Sequence, residues 1–129
     1  MLRRMATGWL DGQMSLPAGT LDPGETLRQA AAREAKEEVG VEVLLTDLRY
    51  AHTVHSSTEG QDWTGHFFVA HVWSGEPRIC ETDKHADLRW ESLDRLPAET
   101  VPYVHQALIA IRQSEPYSEF GWRTAEAGA

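Results

Sequence analysis

The sequence has little that would tie it to a membrane or cross-link it. Cys80 is the single cysteine in 129 residues, which excludes an internal disulfide and favours a reducing compartment. No apolar run reaches the roughly 20 residues of a transmembrane helix, and no apolar segment follows Arg3 and Arg4 as it would in a signal peptide. Repeats and low-complexity linkers are also absent. We therefore expect a soluble cytoplasmic protein that folds as one domain over residues 1–129.

Positive charge is also in short supply. Twelve Lys and Arg residues stand against twenty Asp and Glu residues, which gives a formal net charge of −8. Such a chain repels phosphate backbones and anionic lipids, so we expect neither a nucleic-acid partner nor a membrane partner. A phosphorylated small molecule would need a bound cation to offset the same repulsion.

The most informative stretch runs from Gly19 to Val41. Asp22-Pro23-Gly24 is a turn signal, and Thr26 suits the N-cap of a helix. Good helix formers follow, and Gly40 suits the position just past a helix end. The sequence predicts a helix from about Thr26 to Val39.

The acidic residues of this helix lie on an unusual face. At about 100° per residue, Glu34 and Glu38 fall within about 20° of Leu27, on the side expected to face the protein, and Glu37 lies about 80° away. An acidic run is most often a solvated helix face. A desolvated, unpaired carboxylate is costly, however, and Lys36 points to the opposite side. A divalent cation is the favoured partner, and carboxylate ligands favour Mg²⁺ or Mn²⁺.

The same residues carry a resemblance to a known family. Gly19, Glu25 and the run Arg33-Glu34-Ala35-Lys36-Glu37-Glu38-Val39-Gly40-Val41 have the spacing of the Nudix box, and Ala35 replaces a usually bulkier aliphatic residue. The chain thus resembles the Nudix hydrolases. The resemblance implies an α+β fold, an α/β/α sandwich with a mixed sheet between helices. It also implies Mg²⁺-dependent hydrolysis of a nucleoside diphosphate linked to another group.

The resemblance further implies a set of site residues. The implied metal ligands are the backbone carbonyl of Ala18 and the carboxylates of Glu34, Glu37, Glu38 and one loop glutamate. Glu81 is the first choice for that glutamate, before Glu76 and Glu59. A metal-activated water would attack phosphorus, with Glu34 as the first choice for the catalytic residue and Glu81 as its rival. Glu25 and Arg33 would form an ion pair that orients the loop and the helix.

Substrate-binding residues are implied less directly. Arg3 and Arg4 resemble the family position at the rim of the nucleotide pocket, although a solvated strand end is an equal alternative. Trp63 or Phe67 could stack on a base, but core packing is the commoner use of such rings. The proline and tyrosine that mark two other substrate classes of the family are absent near Ser56 and Thr58. NTPs or dNTPs are therefore expected first, and nucleotide sugars or ADP-ribose second.

The two ends of the chain complete the expected domain. About twenty residues that usually form the first strands of the family are absent before Arg3, so we expect an open sheet edge and a homodimer through it. Residues 63–73 read as a central strand covered on both faces. Apolar residues recurring along 101–113 predict a C-terminal helix, and residues 124–129 should fray.

Two other functions remain open at this stage. A Nudix-like chain can be a catalytically silent nucleotide-binding or regulatory module, but the intact box argues against that. A purely structural acidic helix is the second alternative, and the phase of Glu34 and Glu38 argues against it. A thermal shift with Mg²⁺ or Mn²⁺ that disappears in Glu37→Gln would separate these alternatives from a metal-dependent enzyme.

Overall fold

The computed structural model describes residues 1–122, which form two three-stranded sheets and two helices. In the first sheet, β1 (Leu2–Arg4) lies between β2 (Met14–Ser15) and β5 (His85–Leu88), and both pairings are antiparallel. The register places Arg4 opposite His85. This pairing brings a loop from the second half of the chain beside the N-terminus.

The second sheet is mixed. Its central strand β3 (Leu48–Thr58) pairs antiparallel with β4 (Gln61–Ala70) and parallel with β6 (Tyr117–Phe120). A short 3₁₀ helix, Leu45–Asp47, precedes β3. The two α-helices are α1 (Leu27–Val39) and α2 (Pro102–Arg112), so the predicted C-terminal helix is confirmed.

Both ends of α1 agree with the sequence prediction. Thr26 is the N-cap, and its side chain accepts a hydrogen bond from Gln29 N while the Gln29 side chain accepts one from Thr26 N. Gly40 ends the helix in the left-handed region at φ 72°. The buried residues of α1 are Ala30, Glu38 and Val39, so the predicted inward face is confirmed at Glu38 but is wrong at Leu27, which is exposed in the first turn.

The C-terminal end of α1 packs against the first sheet. Leu2, Val39 and Val41 form one buried cluster, with Leu88 of β5 packed against it. A second cluster is formed by the buried face of α2 and consists of Val101, Val104 and Leu108. The first cluster holds Glu38 close to the start of β5.

Two backbone hydrogen bonds fix the loop that follows β4 to the end of α1. Arg78 N donates to Val39 O at 2.9 Å, and Cys80 N donates to Glu38 O at 3.0 Å. Residues 81–85 therefore begin directly beside Glu38.

Two expectations about the sheets need correction. The stretch 63–73 was predicted as a central strand covered on both faces, but β4 ends at Ala70 and none of its ten residues is buried. Within residues 1–122 it pairs only with β3, which makes it an edge strand. The N-terminal strand β1 was expected at an open sheet edge, but it lies in the middle of the first sheet. The homodimer stays a prediction, which light scattering can test. The predicted fraying of 124–129 lies outside the described residues.

Candidate active site

Arg33 connects the turn before α1 to the acidic face of the helix. Its guanidinium contacts both carboxylate oxygens of Glu25, Nε at 2.8 Å and Nη2 at 3.0 Å, and Nη2 also donates to Thr20 O at 2.9 Å. This hydrogen bonding, led by Arg33, lowers the pKa of Glu25. Nη1 lies 2.8 Å from Glu34 Oε1 and 3.2 Å from Glu37 Oε2. The predicted pair of Glu25 and Arg33 is present, and its orienting role stays a prediction.

Glu38 is the most buried carboxylate of the helix, with a side chain only 7% exposed. Its Oε2 accepts a hydrogen bond from Ala18 N at 2.7 Å. Burial, followed by the hydrogen bond and charge of Glu34, raises the pKa of Glu38 from 4.5 to about 8. The side chain is thus placed where a nearby cation would be strongly favoured.

Glu34 lies against the backbone of Gly19. A Cβ at position 19 would stand 2.0 Å from Glu34 Oε1, so the carboxylate occupies the space that any side chain would need. The first glycine of the box is therefore required by the position of Glu34. Glu37, by contrast, is 52% exposed and directed to Arg33.

Glu38, Glu81 and His85 form a group that we call the Glu–His cluster. One ligand atom from each of the three lies within 4.8 Å of the others. Glu81 comes from the loop fixed to α1, and its backbone carbonyl accepts hydrogen bonds from Lys84 N and His85 N at 3.0 and 3.1 Å. Glu81, the first choice among the loop glutamates, is thus brought to Glu38.

The two other loop glutamates are placed differently. Glu76 is exposed, and Glu59 sits in a tight turn with φ 53°. Among the described residues, neither joins the Glu–His cluster.

His85 completes the cluster from β5. Its side chain is 7% exposed, and Nε2 lies 3.5 Å from Glu38 Oε1. Burial lowers the pKa of His85, which keeps the imidazole neutral near neutral pH. Two carboxylates and a neutral imidazole are a donor set that fits a divalent cation.

A cleft of about 450 Å³ opens beside the cluster and has aromatic walls. Trp63 and Tyr103 meet edge to face with their ring centroids 4.8 Å apart. The guanidinium of Arg4 lies 4.8 Å from the ring centroid of Trp9. Burial raises the pKa of the Tyr103 hydroxyl, so that group is neutral at physiological pH. The cleft thus combines aromatic rings and the guanidinium of Arg4 with the carboxyl group of Glu38.

Two of the predicted substrate residues lie away from this cleft. Arg3 pairs with Glu99 at 3.4 Å and donates to Gly12 O at 2.8 Å, because alternation along β1 directs it away from Arg4. Phe67 is four residues along β4 from Trp63, roughly 13 Å at strand spacing. It lines a larger, mostly apolar cavity of about 830 Å³, which Glu34 and Trp63 also line, and it packs edge to face on His52, so its role in substrate binding stays a prediction. Neither residue lines the smaller cleft.

Sequence reasoning missed three residues of the site. His85, Tyr103 and Trp9 were not singled out as site residues. For His85, the available signal was its spacing of four residues from Glu81. Tyr103 packs against the second core cluster as well as lining the cleft, so the sequence offered no signal that would separate it from a core residue.

A carboxylate cluster at the end of a helix, beside an aromatic-walled cleft in an α+β fold, is the arrangement that the resemblance to the Nudix hydrolases implied. The comparison with known families agrees with this resemblance. The NUDIX domain model matches residues 1–110. The chain belongs to the Nudix hydrolase family, and the predicted α+β Nudix fold is confirmed.

Individual relatives support the assignment over most of the chain. The crystal structure of a MutT NUDIX hydrolase from Burkholderia pseudomallei matches with a TM-score of 0.75 and 31% identity, covering 84% of this chain and 83% of that one. An 8-oxo-dGTP diphosphatase of Escherichia coli is 31% identical over 84% of this chain and 80% of its own length. An RNA pyrophosphohydrolase of Erythrobacter litoralis is 30% identical over 78% of this chain and 71% of its own length.

No helix within residues 1–122 is both long enough and apolar enough to cross a bilayer.

Proposed function

We propose that this Nudix hydrolase is a Mg²⁺- or Mn²⁺-dependent pyrophosphohydrolase that cleaves a nucleoside diphosphate linked to another group. NTPs or dNTPs are the first substrate class, and nucleotide sugars or ADP-ribose the second. The observation that carries the proposal is the Glu–His cluster beside the aromatic cleft, in which Glu38 and His85 are buried and Glu81 is half-buried. A single Nudix domain and a cytoplasmic location remain part of the proposal.

The metal would be held by residues of the box and by the loop after β4. The proposed ligands are the carboxylates of Glu34, Glu37, Glu38 and Glu81 with the carbonyl of Ala18. When bound, a divalent cation supplies charge neutralisation and Lewis acidity for the diphosphate. Glu34 is proposed to position or deprotonate the attacking water, with Glu81 as its rival.

The cleft gives the nucleotide a place beside these carboxylates. A base can stack on the Trp63 and Tyr103 rings, and Arg4 can pair with phosphate. The match to the 8-oxo-dGTP diphosphatase over most of both chains supports a nucleoside triphosphate of this kind.

RNA ends are the substrate that the names of other relatives suggest. The RNA pyrophosphohydrolase is one example, and a NAD-capped RNA hydrolase of Vibrio vulnificus is another, although the chain covers only 31% of the latter. The formal net charge of −8 disfavours a long polyanion. We therefore keep the small nucleotide as the proposed substrate.

A silent binding module is the alternative function. Glu34 is paired with Arg33, but Glu38 is buried and has no Lys or Arg partner within residues 1–122, and the burial of such a carboxylate is costly without a cation. The enzyme is therefore favoured.

The test is phosphate or pyrophosphate release across NTPs, dNTPs, oxidised dNTPs, ADP-ribose and sugar nucleotides, with Mg²⁺ or Mn²⁺. Glu38→Gln should lower turnover of the best substrate by at least about 100-fold, since even residues behind a metal ligand are worth 10–100-fold. Glu42→Gln is the matched control, because the side chain of Glu42 is exposed and pairs with Lys36. Turnover that survives in Glu38→Gln would overturn the proposed site.

A further inference from the structure

We propose that His85 is a nitrogen ligand of the metal, so that this site binds Mn²⁺, Co²⁺ or Zn²⁺ in preference to Mg²⁺. The inference rests on the proposed function, since it assumes that Glu38 and Glu81 hold a cation. It adds a ligand type that the acidic helix alone does not provide.

The backbone holds His85 in a fixed position relative to both carboxylates. β5 pairs with β1 at Arg4, and His85 N donates to Glu81 O at 3.1 Å. Cys80 N, just before Glu81, donates to Glu38 O. The three side chains of the cluster therefore belong to a strand, a turn and a helix that are hydrogen-bonded to one another.

The imidazole of His85 lacks the hydrogen bonds that a structural histidine usually has. Its Nδ1 is buried and has no hydrogen-bond partner within residues 1–122, and Nε2 faces Glu38 Oε1 at 3.5 Å. Leaving a buried polar atom unpaired costs roughly 1–3 kcal/mol. The nitrogen that faces the cluster is Nε2, and a cation beside Glu38 would bind its lone pair.

His52 shows what a structural histidine looks like in the same protein. It is fully buried, but Nδ1 lies 2.7 Å from Glu115 O and Nε2 lies 2.8 Å from Ser118 Oγ. Both of its nitrogens are satisfied, so it needs no further partner. The contrast separates the two buried histidines and assigns His85 to the cluster.

The donor set determines the class of cation. Mg²⁺ prefers oxygen ligands and retains much of its water, whereas imidazole suits first-row transition metals. Two carboxylates and one imidazole therefore favour Mn²⁺, Co²⁺ or Zn²⁺ over Mg²⁺ at equal concentration.

Pulsed electron paramagnetic resonance tests the bond directly. The purified full-length protein is loaded with one equivalent of Mn²⁺, and the echo modulation is examined for directly bonded nitrogen. We expect nitrogen modulation in the wild type and in His71→Gln, the control at an exposed histidine, and none in His85→Gln. Modulation that is absent from the wild type, or that persists in His85→Gln, would overturn the proposal.

Binding titrations give a second readout. Replacing His85 with Gln should weaken Mn²⁺ and Co²⁺ binding by about tenfold or more, and Mg²⁺ binding by clearly less. Equal weakening of all three cations would contradict nitrogen ligation. Glu38→Gln separates the two proposals. If Glu38→Gln leaves the affinity for all three cations unchanged, the proposed metal site itself is wrong. If Glu38→Gln weakens binding but His85→Gln does not, only the inference about His85 fails.

A further variant covers the possibility that His85→Gln does not fold. His85→Cys places a thiolate in the cluster, so its Co²⁺ complex should show a thiolate charge-transfer band. The wild type, which retains exposed Cys80, serves as the blank. A His85→Cys spectrum identical to the blank would contradict the assignment.

Discussion

Glu37 and Glu38 are adjacent in the sequence, yet they occupy opposite environments. Glu37 is 52% exposed and pairs with Arg33, whereas Glu38 is buried and accepts a hydrogen bond from Ala18 N. The helical phase predicts this difference, because one residue turns the side chain by about 100°. The helical phase does not predict which residue from another element lies beside Glu38. That neighbour is His85.

The close contact between Gly19 and Glu34 gives a prediction at this scale. Gly19→Ala should displace the Glu34 carboxylate, because the new Cβ would stand 2.0 Å from Oε1. The carboxylate is the flexible end of a long side chain, so the fold should survive. We expect turnover and metal affinity to fall by about tenfold or more, with little change in melting temperature. Gly24→Ala, where a Cβ meets nothing within 4 Å, is the control for general turn strain.

Equal turnover in Gly19→Ala and the wild type would show that the position of Glu34 is unimportant for the reaction.

At the scale of elements, α1 is the helix that joins the two halves of the site. Its N-terminus is capped by Thr26, and Gly40 ends the helix. The loop that carries Glu81 is hydrogen-bonded to the last residues of the helix through Arg78 N and Cys80 N. The cap chemistry was readable from the sequence because it depends on near neighbours. The course of the loop after β4 was not, because Arg78 and Cys80 bond to residues about forty positions away.

Gly40→Ala tests the coupling between the end of α1 and that loop. Position 40 has φ 72°, and a Cβ there would lie 2.6 Å from Arg78 Nη1. We expect a loss of about 1–2 kcal/mol in the free energy of unfolding from the left-handed conformation. Metal affinity should fall as well, because the loop that carries Glu81 is displaced. Chemical denaturation and a Mn²⁺ titration measure the two effects.

Thr26→Ala is the comparison for this prediction. It removes the N-cap and should cost about 1 kcal/mol, but it lies at the far end of α1 from Glu81. A Gly40→Ala protein that is destabilised but binds metal as tightly as Thr26→Ala would show that loop and helix are not coupled.

At the scale of the whole molecule, the stability of the fold should depend on the protonation state of Glu38. The pKa of Glu38 is raised to about 8, so the folded state holds a proton that the unfolded chain loses near 4.5. The stabilising contribution of this proton is fully present below about pH 4.5 and is lost as pH rises through about 8. A bound cation should replace the proton.

We therefore predict that, in EDTA, the wild type loses stability relative to Glu38→Gln as pH rises from about 4.5 to about 8. The variant keeps His85, whose lowered pKa acts in the opposite sense, so the difference between the two proteins isolates Glu38. Saturating Mn²⁺ should remove the loss in the wild type. Thermal melts across this pH range measure it, and parallel curves for the two proteins would contradict the prediction.

The sequence by itself determined the features that depend on local chemistry. The bounds and caps of α1, the inward face at Glu38, the C-terminal helix and the Nudix box all follow from residues within a few positions of one another. Spacing along a helix fixes direction, so the burial of a carboxylate was predictable. The family followed from the same 23 residues.

Only the tertiary structure decided which residues share the site with that helix. His85 reaches Glu38 because β5 pairs with β1 in one register, and Tyr103 reaches Trp63 because α2 returns to the cleft. Arg3 is directed to Glu99, and Phe67 lines the larger cavity together with Glu34 and Trp63, so a role for Phe67 in substrate binding stays a prediction. Contacts between distant segments depend on register and packing, which no local pattern of residues encodes.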